Sequence, residues 1–300
     1  MSTAQAAPAG AATAVRNTLG LVAFSHSVFA LPFALTSAWV AAGGLPDPRT
    51  LALIVLCAVA ARTAAMAFNR LVDRDLDGAN PRTANRELPR GALSVGSVRA
   101  LVVGASAVFI AGAVALNPLA GGLSPVVLAV VLGYSYTKRF TSLAHLVLGL
   151  ALGLAPLGAW IAVRGDFAGD LWIPLLLASA VLTWVAGFDL IYACQDARFD
   201  SERGLHSIPA RFGVARALGL SSLLHLATVA LLAGFAWRAG LGPGYALTLG
   251  LASVLLLWQH RIVSPNDLSR VDRAFFTLNG WVGVVLFAGV LADLHWLGDA

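Results

Sequence analysis

Apolar residues dominate long stretches of this chain, and polar residues concentrate in the short segments between them. Each stretch is close to the roughly 20 residues that an α-helix needs to cross a bilayer. The pattern predicts an all-α, polytopic membrane protein, with one transmembrane domain over residues 16–300 after a disordered tail over residues 1–15. Nine helices are predicted, at residues 18–42, 50–72, 99–116, 120–137, 143–163, 171–195, 214–237, 242–259 and 275–297.

Composition supports this interpretation. The chain is 58% hydrophobic and 12% charged, whereas soluble domains have about 45–50% apolar and about 25% charged residues. A soluble globular enzyme is therefore excluded. Cys57 and Cys194 are too few for a disulfide framework or a cysteine metal site. The net charge of +5 does not indicate nucleic-acid binding, because the basic residues lie in loops where membrane orientation explains them.

The basic residues predict the orientation of the helices. Alternate loops place sixteen Lys and Arg residues on one side of the membrane and three on the other, with Arg62 inside the second predicted helix. Cytoplasmic loops carry the excess of basic residues in membrane proteins. The N-terminus is therefore predicted in the cytoplasm and the C-terminus outside.

Two acidic clusters lie at predicted cytoplasmic helix ends. Four-residue spacing places the members of each cluster on one helix face. The aspartates at 73 and 77 recur 123 residues later at 196 and 200, and each cluster precedes a basic loop with a proline and a glycine. A lone aspartate near a helix end is usually a solvated residue, but a repeated pair indicates a site. The clusters contain Asn69, Asp73 and Asp77 in the first helix, and Asp189, Tyr192, Asp196 and Asp200 in the second.

Carboxylates that converge from two helices repel one another unless divalent cations lie between them. Hard oxygen ligands suit Mg²⁺, which often takes phosphate oxygens as further ligands. Arginines in the adjoining loops can bind those oxygens bidentately. The residues therefore predict a Mg²⁺-dependent site for a diphosphate, carried by a lipid because membrane helices form the site.

Other chemistries fit less well. The segment from Asp73 to Gly78 resembles an EF-hand opening, but Ala84 stands where that loop needs a glutamate. The six histidines show no paired metal spacing, although His206 lies in the second basic loop, where it can contact phosphate. A secondary transporter stays an alternative, since internal repeats and intramembrane acids also occur there. A phosphatidyltransferase would carry its acids in one short segment.

The sequence resembles the UbiA superfamily of intramembrane aromatic prenyltransferases over nearly its whole length. Residues 69–91, NRLVDRDLDGANPRTANRELPRG, are similar to the first Asp-rich motif of that family. Residues 189–213, DLIYACQDARFDSERGLHSIPARFG, are similar to the second. Further similarity lies in Arg62, in residues 134–139 and in residues 24–32 of the first apolar run.

The resemblance implies about nine helices around a central cavity that holds Mg²⁺ and a polyprenyl diphosphate. Asn69, Asp73 and Asp77 would bind one metal ion, and Asp196 and Asp200 the other. Asp189 and Tyr192 would lie near the reacting carbon or the aromatic acid, completing a catalytic set with the four metal-binding aspartates. Diphosphate contacts would come from Arg62, Lys138 and Arg139, with Arg82, Arg86, Arg203, Arg211 and His206 as weaker candidates.

The acceptor stays open at this stage. Arg70 stands where many family members have Asp, and His206 stands where many have Lys. Both departures resemble a bacterial subgroup that is linked to menaquinone. We therefore expect transfer of a polyprenyl group to 4-hydroxybenzoate or a dihydroxynaphthoate, in ubiquinone or menaquinone biosynthesis at a bacterial inner membrane. A UbiA-type enzyme with a non-quinone acceptor is the remaining alternative.

Overall fold

The computed structural model describes residues 11–21 and 29–297, which form helices and connecting loops without a β-sheet. Short 3₁₀ and π-helical segments lie at Cys194–Asp196, Arg273–Leu278 and Asp293–Leu297. The α-helices are α1 (Ala11–Leu21), α2 (Leu31–Ala42), α3 (Pro48–Val72), α4 (Arg74–Ala79), α5 (Val95–Leu116), α6 (Pro118–Thr137), α7 (Ala144–Arg164), α8 (Trp172–Ala193), α9 (Ala197–Glu202), α10 (Ile208–Phe212), α11 (Val214–Ala239), α12 (Pro243–Ile262) and α13 (Asn279–Ala292).

The apolar pattern located most of these helices to within a few residues. Among the described residues, seven helical segments are long and apolar enough to cross a membrane. The chain is therefore an integral membrane protein. The helices α2, of 12 residues, and α12, of 20 residues, lie outside that set, so the predicted count of nine is not confirmed.

The N-terminal predictions need correction where the structure describes them. The run 18–42 is not one helix, because α1 ends at Leu21 and α2 begins at Leu31. Residues 22–28, which include most of the 24–32 segment, lie outside the described residues. The first ten residues of the predicted tail also lie outside them, and residues 11–15 are helical.

Capping residues explain several helix ends. The Asp47 carboxylate accepts a hydrogen bond from the Thr50 backbone N–H at 2.9 Å, just before α3. Asn117 accepts one from the Ala120 N–H at 2.8 Å and starts α6 directly after α5 ends. Each cap satisfies a backbone donor that the first helical turn leaves without a partner. Gly165 ends α7 in the left-handed region, at φ 76°, where glycine carries no Cβ penalty.

Small residues bring α7 and α8 together. A Cβ atom on Gly149 would lie 2.3 Å from the Leu182 carbonyl oxygen, and one on Gly153 would lie 2.7 Å from the Ala178 carbonyl oxygen. The two backbones therefore pack in direct contact, as small-residue stripes allow in membrane proteins. In contrast, a Cβ on Gly104 of α5 would meet nothing within 4 Å, so Gly104 makes no such contact.

Helix α8 is the central element of the fold. Its buried aromatic residues Trp184 and Phe188 join the main apolar core with Phe29 and Phe33 of the N-terminal segment and Phe235 of α11. This packing fixes the end of α8 that carries the second acidic cluster. The end of α3, with the first cluster, lies across the same cavity.

Candidate active site

Both acidic helix ends have the same local structure. Helix α3 ends at Val72, and Asp73 then adopts φ −92° and ψ 4° before the six-residue helix α4. Asp196 adopts φ −100° and ψ 2° before the six-residue helix α9. These angles lie in the sparsely populated bridge region that many active-site residues occupy. The 123-residue repeat is thus a repeat of backbone structure, although each acidic stripe bends at its aspartate and does not follow one continuous helix.

A polar cavity of about 310 Å³ lies between the two helix ends. It brings together residues that are far apart in the sequence. Four of the predicted site residues do not line the cavity: Arg139, Arg203, His206 and Arg211. Those that do are Arg62, Asn69, Asp73, Asp77, Arg82, Arg86, Lys138, Asp189, Tyr192, Asp196 and Asp200.

The first-motif carboxylates are held by basic side chains. Asp73 is 3% exposed, and its carboxylate lies 2.5 Å from the Lys138 Nζ and 3.2 Å from an Arg139 nitrogen. Asp77 is 6% exposed and lies 2.7 Å from the Arg86 guanidinium. A buried carboxylate without a partner is strongly destabilising. Each of these two buried aspartates therefore has at least one basic partner.

The loop after the first motif closes on the second motif. Arg82 donates to Asp196 through Nε at 2.9 Å and through a second guanidinium nitrogen, and to the Tyr192 hydroxyl at 2.7 Å. Asn80 donates to the same Asp196 carboxylate at 2.9 Å. Burial opposes the charge of Arg82, but the hydrogen bonds and charge of Asp196 outweigh it and raise the pKa of the guanidinium above its ordinary value. Arg82 stays charged and links the two motifs.

Several polar groups at the cavity are left without a partner. The Nε atoms of Arg62 and Arg70 and the Oδ2 atom of Asp77 are buried and make no hydrogen bond with the part of the chain that the structure describes. Neither arginine has an ion pair among the described residues. Buried polar groups are ordinarily hydrogen-bonded. Two guanidinium groups and a carboxylate oxygen are therefore available to bind anions and a cation.

The acidic residues fit a magnesium site in ligand chemistry. In this conformation, no group of three or more His, Cys, Asp or Glu side chains within the described ranges is arranged to hold a metal ion. The cluster nonetheless supplies only oxygen ligands, together with the partnerless Asp77 oxygen. Mg²⁺ takes such ligands one or two at a time and completes its shell with water and phosphate oxygens.

A second, apolar cavity of about 530 Å³ adjoins the polar one. Its lining comes from α2, α3 and α5 to α8 and is almost entirely aliphatic and aromatic. Arg62, Met66 and Tyr134 line both cavities, as do Leu148 and Leu152. A molecule with a charged head and a long apolar tail can therefore occupy both.

Comparison with known proteins assigns the family. Residues 30–281 match the UbiA prenyltransferase family. The chain belongs to this family. A 4-hydroxybenzoate octaprenyltransferase from Sodalis glossinidius is 34% identical over 260 residues, which cover 87% of this chain and 88% of that protein. A protein of the same name from Aromatoleum aromaticum is 32% identical over 260 residues, covering 86% of each chain.

Solved structures of UbiA homologues share the fold. The apo structure of a UbiA homologue from Aeropyrum pernix K1 superposes with a TM-score of 0.81 at 38% identity, over 89% of this chain and 98% of that chain. A UbiA homologue from Archaeoglobus fulgidus, solved with DMAPP and Mg²⁺, has a TM-score of 0.73 at 21% identity, over 94% of this chain and 100% of that chain.

Two residues predicted from the UbiA resemblance lie beside the polar cavity. Arg139 turns to the Asp73 carboxylate and to the Val72 carbonyl oxygen at 2.7 Å. The His206 backbone N–H donates to the Lys138 carbonyl at 2.8 Å, and the buried Nδ1 of the His206 ring has no partner among the residues that the structure describes. Arg139 therefore contacts Asp73, the ion-pair partner of Lys138, and His206 contacts the backbone of Lys138 itself.

Sequence reasoning also missed residues of this UbiA site. Arg70, Asn80 and His145 all line the polar cavity. His145 is 5% exposed, and its Nδ1 lies 2.7 Å from an Asp189 carboxylate oxygen. The two residues are 44 positions apart, and no helical spacing relates them, so nothing in the sequence predicts their contact. Arg70 could have been predicted as a site residue, since it is a basic residue inside an acidic motif.

Proposed function

We propose that the chain is a Mg²⁺-dependent aromatic prenyltransferase that moves a polyprenyl group from a polyprenyl diphosphate to an aromatic acid and releases diphosphate. The observation that carries this proposal is the meeting of two Asp-rich helix ends at a polar cavity that adjoins an apolar one. The polar cavity suits the diphosphate, and the apolar cavity suits the polyprenyl chain.

The ion pairs suggest how the site receives its charged ligands. Asn69, Asp73 and Asp77 would hold one Mg²⁺, and Asp196 and Asp200 the other. Bound Mg²⁺ would neutralise charge on the leaving diphosphate. Lys138, Arg82 and Arg86, which pair with these carboxylates, would then be released to bind the diphosphate oxygens. Arg62 and Arg70, which have no carboxylate partner within residues 11–21 and 29–297, would supply further positive charge for the anionic groups of the substrates.

The reaction begins when the allylic C–O bond breaks and its electron pair leaves with the diphosphate. Lys138, Arg82 and Arg86 stabilise that departing charge through charge-assisted hydrogen bonds. A carbon of the electron-rich ring, held about 3 to 3.5 Å away, attacks the allylic cation and then loses its proton. Asp189 and Tyr192 line the cavity where the acceptor would bind. The apolar walls keep out water, which would otherwise capture the cation.

The acceptor we propose is 4-hydroxybenzoate, as a step of quinone biosynthesis. The curated relatives at 32% and 34% identity carry that acceptor in their names. Dihydroxynaphthoate is the competing acceptor. It is suggested by Arg70 and His206, which differ from the residues of many family members and resemble a subgroup linked to menaquinone.

We place the enzyme in the bacterial cytoplasmic membrane, in contact with lipid and with its site facing the cytoplasm. Support comes from the sixteen Lys and Arg residues predicted on one side against three on the other. The polar cavity lies at the helix ends that adjoin two of these basic loops. Water-soluble aromatic acid would reach it from that side.

The test is product identification. Purified protein in detergent receives a short prenyl diphosphate, Mg²⁺ and either 4-hydroxybenzoate or a dihydroxynaphthoate, and mass spectrometry identifies the products against a chelator control. We expect a chelator-sensitive prenylated hydroxybenzoate. A product from the naphthoate alone would overturn the acceptor, and no product from either acceptor would refute the proposed activity.

A further inference from the structure

A group of buried polar side chains joins three helices behind the wall of the polar cavity. Trp184 of α8, Gln259 of α12 and Asn279 of α13 are each 0% exposed. The Trp184 indole N–H donates to the Asn279 Oδ1 at 2.9 Å, and the Asn279 amide donates to the Gln259 Oε1 at 3.2 Å. Burial of an amide costs free energy unless the amide is hydrogen-bonded. A polar network in an apolar core therefore suggests a function beyond packing.

Asn279 also binds the backbone of the adjacent π-helical segment. Its amide lies 3.0 Å from the Ala274 carbonyl oxygen and 3.2 Å from the Phe275 carbonyl oxygen. This segment, Arg273–Leu278, departs from the regular α-helical hydrogen-bond pattern, and such departures occur often at functional sites. The Asn279 side chain therefore stabilises a local widening of the last long helix.

The widened segment carries two aromatic residues to the polar cavity. Phe275 and Phe276 both line it. The Phe275 ring lies 4.3 Å from the Tyr192 ring and 5.1 Å from the Phe188 ring, centroid to centroid. The guanidinium of Arg82 lies over the Tyr192 ring, at 4.9 Å. These rings form an aromatic wall, defined here as Phe188, Tyr192, Phe275 and Phe276, beside the Asp196 carboxylate.

We propose that Asn279 is a positioning residue for prenyl transfer, which holds Phe275 and Phe276 against the allylic carbon of the bound diphosphate. The inference rests on the proposed function. Aromatic faces attract cations, so the wall stabilises the allylic cation and excludes water from it. The cation has two fates: a ring carbon captures it and then loses a proton, or water captures it and loses a proton to leave a prenyl alcohol. The ratio of these products reports how well the wall is placed.

The experiment measures that ratio in three variants. Asn279→Leu keeps the branched shape of the side chain, with a larger volume, and removes every hydrogen bond of Asn279. Asn279→Asp keeps the acceptor for Trp184 but removes the donors to the two carbonyl groups. Phe275→Leu alters the wall and leaves the network intact, so it tests the inference even if the Asn279 variants do not fold. We expect each to raise the ratio of prenyl alcohol to prenylated acid roughly tenfold, with the KM for the diphosphate within twofold of wild type.

A variant of Asp293 serves as a matched control, which distinguishes misplacement of the aromatic wall from a general loss of stability. Asp293 accepts backbone hydrogen bonds from Gly242, Gly244 and Tyr245, at 2.8 to 2.9 Å, and lines neither cavity. Asp293→Ala should lower the melting temperature and leave the product ratio unchanged.

The outcomes distinguish the two proposals. A wild-type protein that gives no Mg²⁺-dependent transfer refutes the proposed function. A wild-type protein that transfers, with product ratios unchanged in the Asn279 and Phe275 variants, overturns only the positioning role. The same rise in prenyl alcohol in the Asp293 variant also overturns it, since loosening of the fold would then be the cause.

Discussion

Replacement of Arg82 by methionine tests the charge pairing that joins the two motifs. Methionine keeps much of the length of the side chain and loses the bonds to Asp196 and Tyr192. Of the donors to Asp196 within the described ranges, the Asn80 amide at 2.9 Å would remain. Its carboxylate would stay mostly buried without a cation.

The expected loss of stability follows from burial. Breaking a fully buried ion pair costs about 3 to 5 kcal/mol, but the two side chains are 30% and 17% exposed, and solvent screening reduces the cost. We expect about 2 kcal/mol, which for a chain of this size corresponds to a melting temperature about 4 °C lower. Saturating Mg²⁺ should reduce the difference in melting temperature between the variant and wild type, because the metal would replace the missing guanidinium at Asp196.

The assay is thermal unfolding in detergent, with and without Mg²⁺, alongside prenyl transfer. We expect kcat/KM to fall about 100-fold, because a charge-assisted hydrogen bond to the diphosphate is lost. Arg198→Met is the matched control: its pair with Glu202 is 92% and 60% exposed, so the melting temperature should stay within about 1 °C of wild type. An Arg82 variant as stable as wild type without metal, or a deficit that Mg²⁺ leaves unchanged, would refute this reasoning.

Three further predictions address the metal ligands, the helix packing and the apolar cavity. Asp73→Ala and Asp196→Ala should each abolish turnover and leave membrane insertion nearly intact; activity that survives in both would remove the metal assignment. Gly149→Val should lower the unfolding free energy by about 1 to 3 kcal/mol, because its Cβ would lie 2.3 Å from the Leu182 carbonyl oxygen; an unchanged melting temperature would contradict the close α7–α8 packing. Ala155→Phe should reduce turnover of long polyprenyl diphosphates more than of short ones, because Ala155 lines the 530 Å³ cavity; equal losses for both would argue against that cavity as the tail site.

The positions of most helices followed from the sequence because each apolar stretch matches the thickness of a bilayer. The repeat was also visible, since two aspartates recur at the same offset. The bends at Asp73 and Asp196 were not visible, because the residues after them are compatible with a continued helix. The conformation there accompanies tertiary ion pairs with Lys138 and Arg82, which no local pattern contains.

The site differed from the prediction in side-chain direction. Lys138 and Arg139 are adjacent at a helix end, and only Lys138 lines the cavity. Neighbouring residues in a helix point about 100° apart, and the sequence does not say which one faces inward. The contact between His145 and Asp189 brings two helices together, so it depends on packing and not on spacing.

The central claim is that this UbiA family member couples diphosphate release to prenylation of an aromatic ring at the Asp-rich cavity. The most direct test measures both products in the same reaction, with Mg²⁺ and with a chelator. We expect equal amounts of diphosphate and prenylated 4-hydroxybenzoate with Mg²⁺, and neither product with the chelator. Ring prenylation that persists without a divalent cation, or diphosphate release without a prenylated ring, would contradict it.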